Sequence, residues 1–233
     1  MAPLPADASV SRTEIFGTPT WRVAVPEMES FRSRLLGDIR TSWDKGHFER
    51  HAHGYGYQSR GELYSTVLLE QHEYLRVLRE RFVATCREIL RLRHGHAKNL
   101  PFDIYAVQAW ILVQTNESWV DGPWHNHHPA TLSGCYYFQV PQRGAGTEGL
   151  LMFQRPEPPN IFCPNMAAVQ PLQGHLIVFP SYLMHRPTPC PSAETWRISI
   201  NMDAFVHWKK RLEEPLTTLS SENYNAAVLA SRG

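Results

Sequence analysis

The sequence predicts a mainly β protein with N-terminal helices, an α+β arrangement in which two helices lie on one face of antiparallel sheets packed as a sandwich or open barrel. Three observations carry this expectation. Helical periodicity is confined to the chain before Gly95. From Asp103 onward, segments 103–115, 132–140, 149–154, 174–179 and 195–205 are each rich in β-branched and aromatic residues. Pro/Gly/Asn-rich connections such as 141–146 and 155–164 part them, with no long helical pattern between.

In chain order, residues 1 to about 28 carry Pro3, Pro5, Pro19 and Pro26 and no helical period, so they read as extended, with an edge strand at 20–24. Ser30 then suits the N-cap of a helix whose apolar positions Phe31, Leu35, Ile39 and Trp43 recur every four residues, with Leu36 widening the stripe and Gly46 as the stop. Residues 47–64 read as a flexible loop holding His47, His51, His53 and Gly-Tyr-Gly-Tyr at 54–57. A second, long helix follows. It sets Leu68, Leu75, Leu78, Phe82, Ile89 and Leu92 against a solvated face of Glu73, Arg76, Arg79, Glu80 and Arg87, and closes near Gly95. The strands come next, and the polar tail from Glu213 trails along the surface. We expect one domain over 1–233: a supporting segment 1–100, a β core 101–212 and a tail 213–233.

Composition narrows the function. Of 233 residues, 42% are hydrophobic and 19% charged, enough for one sizeable core. With 23 basic against 22 acidic residues the net charge is +1, which excludes the strong field of a nucleic-acid or anionic-membrane binder. No segment reaches the roughly 18 apolar residues of a membrane helix, and the N-terminus lacks a basic stretch leading into an apolar run. Cys86, Cys135, Cys163 and Cys190 form no CxxC pair and are expected to be reduced. The expectation is a cytoplasmic protein with a small-molecule partner; a homodimer is compatible with it.

The chemistry gathers around 124–137, where His125, His127 and His128 fall within four positions. In a strand, residues i and i+2 share a side, so His125 and His127 can converge on one ion while Asn126 points away. His185, placed after an apolar strand and Pro180, is the candidate third ligand. Farther on, Arg197 and Ser199 share one face and Trp196, Ile198 and Ile200 the other, the pattern of a strand lining a polar pocket. A buried arginine needs an anion, and a carboxylate taking two parallel hydrogen bonds suits it best.

The order His-x-His at 125–127, Ser-Gly-Cys-Tyr-Tyr at 133–137, Gly-x-Leu-x-x-Phe-Pro-Ser-x-Leu-x-His at 174–185 and Arg-Ile-Ser-Ile at 197–200 resembles the non-haem Fe(II), 2-oxoglutarate-dependent oxygenases. The likeness is to a branch carrying His-x-His and Ser-Gly-x-Tyr-Tyr, itself similar to prolyl hydroxylases. It spans 110–203, with a looser likeness over 29–100. The resemblance implies a double-stranded β-helix (jelly-roll, cupin-like) core. It implies His125, His127 and His185 as iron ligands, and Arg197, aided by Ser199 and Tyr137, on the distal carboxylate of 2-oxoglutarate. It implies O2 as co-reactant, succinate and CO2 as by-products, and a C–H bond of a small molecule or amino-acid-derived substrate as the site of hydroxylation. In most such enzymes the second ligand is Asp or Glu, whereas here it is His127. Asp121 and Glu117 are the nearby carboxylates that could partner the histidines or replace one.

Other readings stand beside this one. His128 faces away and precedes a proline; His51 and His53 sit on the glycine-rich loop; His175 suits an interior strand position and His207 the surface. A cupin-like three-histidine enzyme without 2-oxoglutarate would use the same ligands but has no need of Arg197 and Ser199. A non-catalytic binder of a metal or small acid is the other rival. The letters His-Asn-His evoke the HNH nucleases, whose ββα-metal layout and basic surface are missing. Trp110, Trp119, Trp124, Tyr55, Tyr57 and Tyr182 are candidates for a lid over an apolar substrate.

Overall fold

Two antiparallel sheets face each other, and helices cover the outer side of the larger one. A computed structural model describes residues 10–93, 102–118, 120–142, 146–155, 165–190 and 194–208. The chain enters through β1 (Val10–Ile15) and β2 (Thr18–Ala24), then a 3-10 turn Pro26–Phe31 and α1 (Arg32–Asp44). Short strands β3 (Phe48–Arg50) and β4 (Tyr57–Ser59) precede α2 (Thr66–Gln71) and α3 (Glu73–Arg93). The remaining strands are β5 (Phe102–Gln114), β6 (Leu132–Gln139), β7 (Leu151–Gln154), β8 (Met166–Val169), β9 (His175–Pro180), β10 (Met184–Pro187) and β11 (Arg197–Trp208). The large sheet runs β1-β2-β9-β6-β11-β5-β4-β3 and the small one β10-β7-β8.

Strand alternation divides the large sheet into two chemically distinct faces. Ile198, Ile200, Met202 and Ala204 of β11 join Tyr136, Phe138, Leu176 and Val178 in a core against the helices. That core takes Leu75, Leu78, Phe82, Cys86 and Ile89 from one stripe of α3 and Leu35 and Ile39 from α1. Each fully buried Leu or Phe contributes about 1.5–3 kcal/mol relative to its exposed state, so this layer holds the helices in place. Gly134 is required there, because a Cβ on it would sit 2.7 Å from Phe82 Cε2. On the opposite face, Ile177, Phe179, Cys135 and Tyr137 meet Leu151, Phe153 and Leu183 in a smaller cluster between the sheets.

The all-antiparallel core agrees with the sequence expectation, and several details correct it. Segment 20–24 is not an edge, since β1 pairs with residues 18–23 on one side of β2 and β9 pairs with residues 21–24 on the other. Ser30 caps no helix: its Oγ donates to the Glu27 carbonyl within the 3-10 turn, and Phe31 stands at the N-cap of α1. The expected long helix is two, broken at His72, whose backbone is extended. There the Tyr74 hydroxyl lies 2.8 Å from Asp38 Oδ2 and 2.9 Å from His72 Nδ1, a local network that competes with helical continuation. The loop 47–64 contains β3 and β4, and β4 pairs with β5, bringing the glycine-rich turn onto the sheet. Gly95 and the tail from Glu213 lie outside the described residues. Among the described residues no helix is long and apolar enough to cross a membrane.

Candidate metal centre

His125 and His185 are brought together by main chain. The two residues form an isolated antiparallel bridge, His125 N–H donating to His185 O at 3.1 Å and His185 N–H to His125 O at 2.9 Å. Residues directly opposite in such a pair project to the same side. His127 reaches the same place without a strand: beyond the bridge the segment is irregular, held by His127 N–H donating to Ser181 O at 3.0 Å. The strand expected through 125–127 is therefore a single bridge, because Pro123 and Pro129 flank it and cannot donate to a ladder. One ring nitrogen from each of His125, His127 and His185 lies within 4.8 Å of the others, and among the described residues no carboxylate joins that group.

Hydrogen bonding fixes the tautomers. His125 Nδ1 lies 2.8 Å from Pro123 O, His185 Nδ1 2.9 Å from Leu183 O, and His127 Nδ1 2.8 and 2.9 Å from the two oxygens of Asp203. Carbonyl and carboxylate oxygens only accept, so each Nδ1 carries a proton and each Nε2 is the nitrogen left to face the others. Burial reinforces this. Against Phe179 and Phe153, His185 is held neutral, its pKa pushed down to about 3 by desolvation first and by the neighbouring His125 and His127 second. His125 is lowered too, again chiefly by burial. Three imidazoles facing one another are a donor set suited to a divalent first-row metal such as Fe(II).

β11 supplies the other half of the site. Arg197, Ser199, Asn201 and Asp203 alternate along its inner face, opposite Gln114, Leu112, Trp110 and Gln108 of β5. Arg197 is 3% exposed; its Nη1 donates to Gln114 Oε1 at 2.8 Å and to Thr188 O at 3.1 Å. The guanidinium stands 5.4 Å from the Tyr137 ring centroid, and the phenol, raised by burial, stays protonated as a donor. Among the described residues no carboxylate pairs with Arg197. A buried cation served only by neutral groups is completed by an anionic ligand.

The cleft between these halves is lined by Tyr55, Trp110, Tyr137, Leu151 and Ser199 as well as the three histidines and Arg197. A larger cavity, about 450 Å³, lies between the helices and the outer face of the sheet and contains none of the site residues; the chemistry, not the volume, identifies the cleft.

The structure gathers His125, His127, His185, Arg197, Ser199 and Tyr137 on one cleft. It does not bring in Asp121, which pairs with Arg186 at 2.9 Å, nor Glu117, which is exposed. His128 is exposed, His175 is half-buried with its Nδ1 on Gln173 O, and His207 packs against Tyr105 at the surface. His51 and His53 are ring neighbours on the loop that carries Tyr55. Of the aromatic candidates, Tyr55 and Trp110 line the cleft, Tyr57 packs on Trp43, Trp124 lies under Arg186, and Tyr182 is exposed; Trp119 falls outside the described residues. Sequence reasoning missed Asp203, Gln114 and Thr188. For Asp203 the signal was present, since polar residues recur at every second position from Arg197 to Asp203.

Residues 108–203 match the family described as "Putative 2OG-Fe(II) oxygenase". Among solved structures, a prolyl-4-hydroxylase from Pseudomonas putida is 14% identical, covering 80% of this chain and 91% of that one with a TM-score of 0.51. SnoK, a non-heme alpha ketoglutarate dependent carbocyclase from nogalamycin biosynthesis, is 12% identical, covering 86% of each chain with a TM-score of 0.54. The epimerase SnoN, solved in complex with Fe3+, alpha ketoglutarate and nogalamycin RO, is 14% identical, covering 87% of each chain with a TM-score of 0.51. At these identities the structural likeness is one of fold. No curated protein matches the chain in sequence.

Proposed function

We propose, from the match of residues 108–203 to the 2OG-Fe(II) oxygenase family, that this chain is an enzyme that hydroxylates a C–H bond of a small-molecule or amino-acid-derived substrate, with 2-oxoglutarate converted to succinate and CO2. The observation that carries the reading is Arg197, a buried guanidinium without a carboxylate partner among the described residues, on the same cleft as three clustered histidines. Imidazoles alone suit several metals. The arginine adds the need for a cosubstrate with a free carboxylate, which a cupin-like site lacking 2-oxoglutarate does not have.

His125, His127 and His185 would hold the metal through Nε2, leaving coordination positions for cosubstrate and oxygen. Bound there, Fe(II) supplies the activation of O2 that decarboxylates 2-oxoglutarate and oxidises the substrate. Arg197 binds the distal carboxylate and Tyr137 and Ser199 add hydroxyl donors beside it. Phe153, Phe179 and Leu151 keep water from the inner end. Trp110 and Tyr55 form the wall against which a substrate with an apolar body would be oriented. Among the fold neighbours, prolyl hydroxylases and two enzymes of nogalamycin biosynthesis span amino-acid and small-molecule chemistry. The narrow cleft favours a compact substrate.

Anaerobic titration with Fe(II), then 2-oxoglutarate, tests the reading through the weak visible charge-transfer band of the chelate. The band is expected for the native protein and lost in Arg197→Ala. Iron binding without a band would leave the cupin-like alternative. Succinate formation across a substrate panel then identifies the target.

A further inference from the structure

We infer that Asp203 is the carboxylate of this metal centre, set behind His127 instead of on the metal, where it orients that imidazole and supplies the negative charge that a histidine ligand lacks. The inference rests on the three-histidine reading above.

Three observations carry it. First, the contact is two-pronged and fixed from both sides: His127 Nδ1 faces Asp203 Oδ1 at 2.8 Å and Oδ2 at 2.9 Å, while Ser133 Oγ donates to Oδ1 at 2.6 Å from the register-paired position on β6. Second, the three histidines are not treated alike. His125 and His185 rest their Nδ1–H on carbonyls two residues earlier in the chain, whereas His127 alone receives a carboxylate, from a strand 76 residues away. Third, Asp203 is 6% exposed and pairs with His127, and among the described residues no Lys or Arg neutralises it. A buried carboxylate without a cation is costly. A divalent metal on the far side of the imidazole is the counter-charge that the arrangement provides for.

An imidazole whose Nδ1–H is held by a carboxylate is a stronger donor at Nε2, and such partners carry tenfold to hundredfold effects in metal affinity. Asp203 is therefore a positioning residue acting through His127. It takes the part for which Asp121 and Glu117 were the nearby alternatives in sequence.

The test is anaerobic Co(II) titration of the apoproteins, following the d–d absorption bands that report coordination, with circular dichroism to verify folding. Asp203→Asn keeps the shape and an acceptor but removes the charge; affinity should fall about tenfold. Asp203→Leu removes both and should cost up to about a hundredfold, with altered band positions. Ser133→Ala, which only loosens the carboxylate, should show a smaller loss in the same direction. Wild-type affinity and spectrum in both Asp203→Asn and Ser133→Ala would overturn the inference even if Asp203→Leu fails to fold. His185→Ala separates this from the parent reading. If that variant binds poorly while the Asp203 variants bind normally, only the role of Asp203 falls; if it binds as tightly as the native protein, the three-histidine site and this inference fall together.

Discussion

Arg197 donates its Nη1–H to the side-chain oxygen of Gln114, its register partner on β5, at 2.8 Å. The same amide gives its Nε2–H to the Tyr55 carbonyl at 2.9 Å, so Gln114 ties the arginine to the glycine-rich loop in one fixed orientation.

Gln114→Glu should therefore disable cosubstrate binding without touching the metal. A carboxylate at 114 would pair with Arg197 internally and compete with an incoming anion, while losing the donor to Tyr55 O. The apparent Kd for 2-oxoglutarate, read from the chelate band, should rise at least about tenfold, the scale of a charge-assisted pair worth about 1.5–3 kcal/mol. Co(II) affinity should be unchanged.

Gly134→Ala should lower stability by about 1–3 kcal/mol, the usual cost of overpacking, because the added methyl meets the Phe82 ring at 2.7 Å. Urea unfolding measures the loss. Phe82→Leu in the same chain should recover part of it, since the clash is with the ring and not with backbone.

Apo-protein stability should fall as pH drops from about 6.5 to about 3. His185 is neutral in the fold down to about pH 3, whereas the unfolded chain protonates near the ordinary value of 6.5. Within that window the unfolded state binds more protons, so stability rises with pH there and the penalty is complete below the lower value. Thermal melts across the window, with and without His185→Gln, isolate this contribution: the variant's profile should be flatter.

His127→Asp alone should bind metal poorly, for it sets two carboxylates back to back with Asp203. Adding Asp203→Asn relieves that repulsion, and the double variant should bind Co(II) more tightly than the single one. Equal affinities would show that the charge at 203 is not sensed at 127.

The sequence made the core strands β5, β6, β9 and β11 legible because each is rich in β-branched and aromatic residues and none shows helical spacing. It also made the ligand pair legible through spacing, and Arg197 through strand parity. What it could not show were contacts made by short or irregular pieces. β3, β4, β8 and β10 have only three or four residues each, too few for a period to emerge. The break at His72 depends on Tyr74 meeting Asp38 of another helix. Asp121 is four residues from His125 in sequence but pairs with Arg186, while Asp203, 76 residues from His127, meets its ring; proximity along the chain does not identify that carboxylate.

The inner face of β11 holds a buried cation at Arg197 and a buried anion at Asp203, six residues or about 20 Å of strand apart and too distant to quench each other. On the function proposed above, each is a debt in the apoprotein that a different ligand would discharge: a dicarboxylate at one end, a divalent metal at the other. Thermal shift should therefore work as a two-channel ligand assay, with metal and 2-oxoglutarate each raising Tm and each signal removable by a substitution at its own end of the strand.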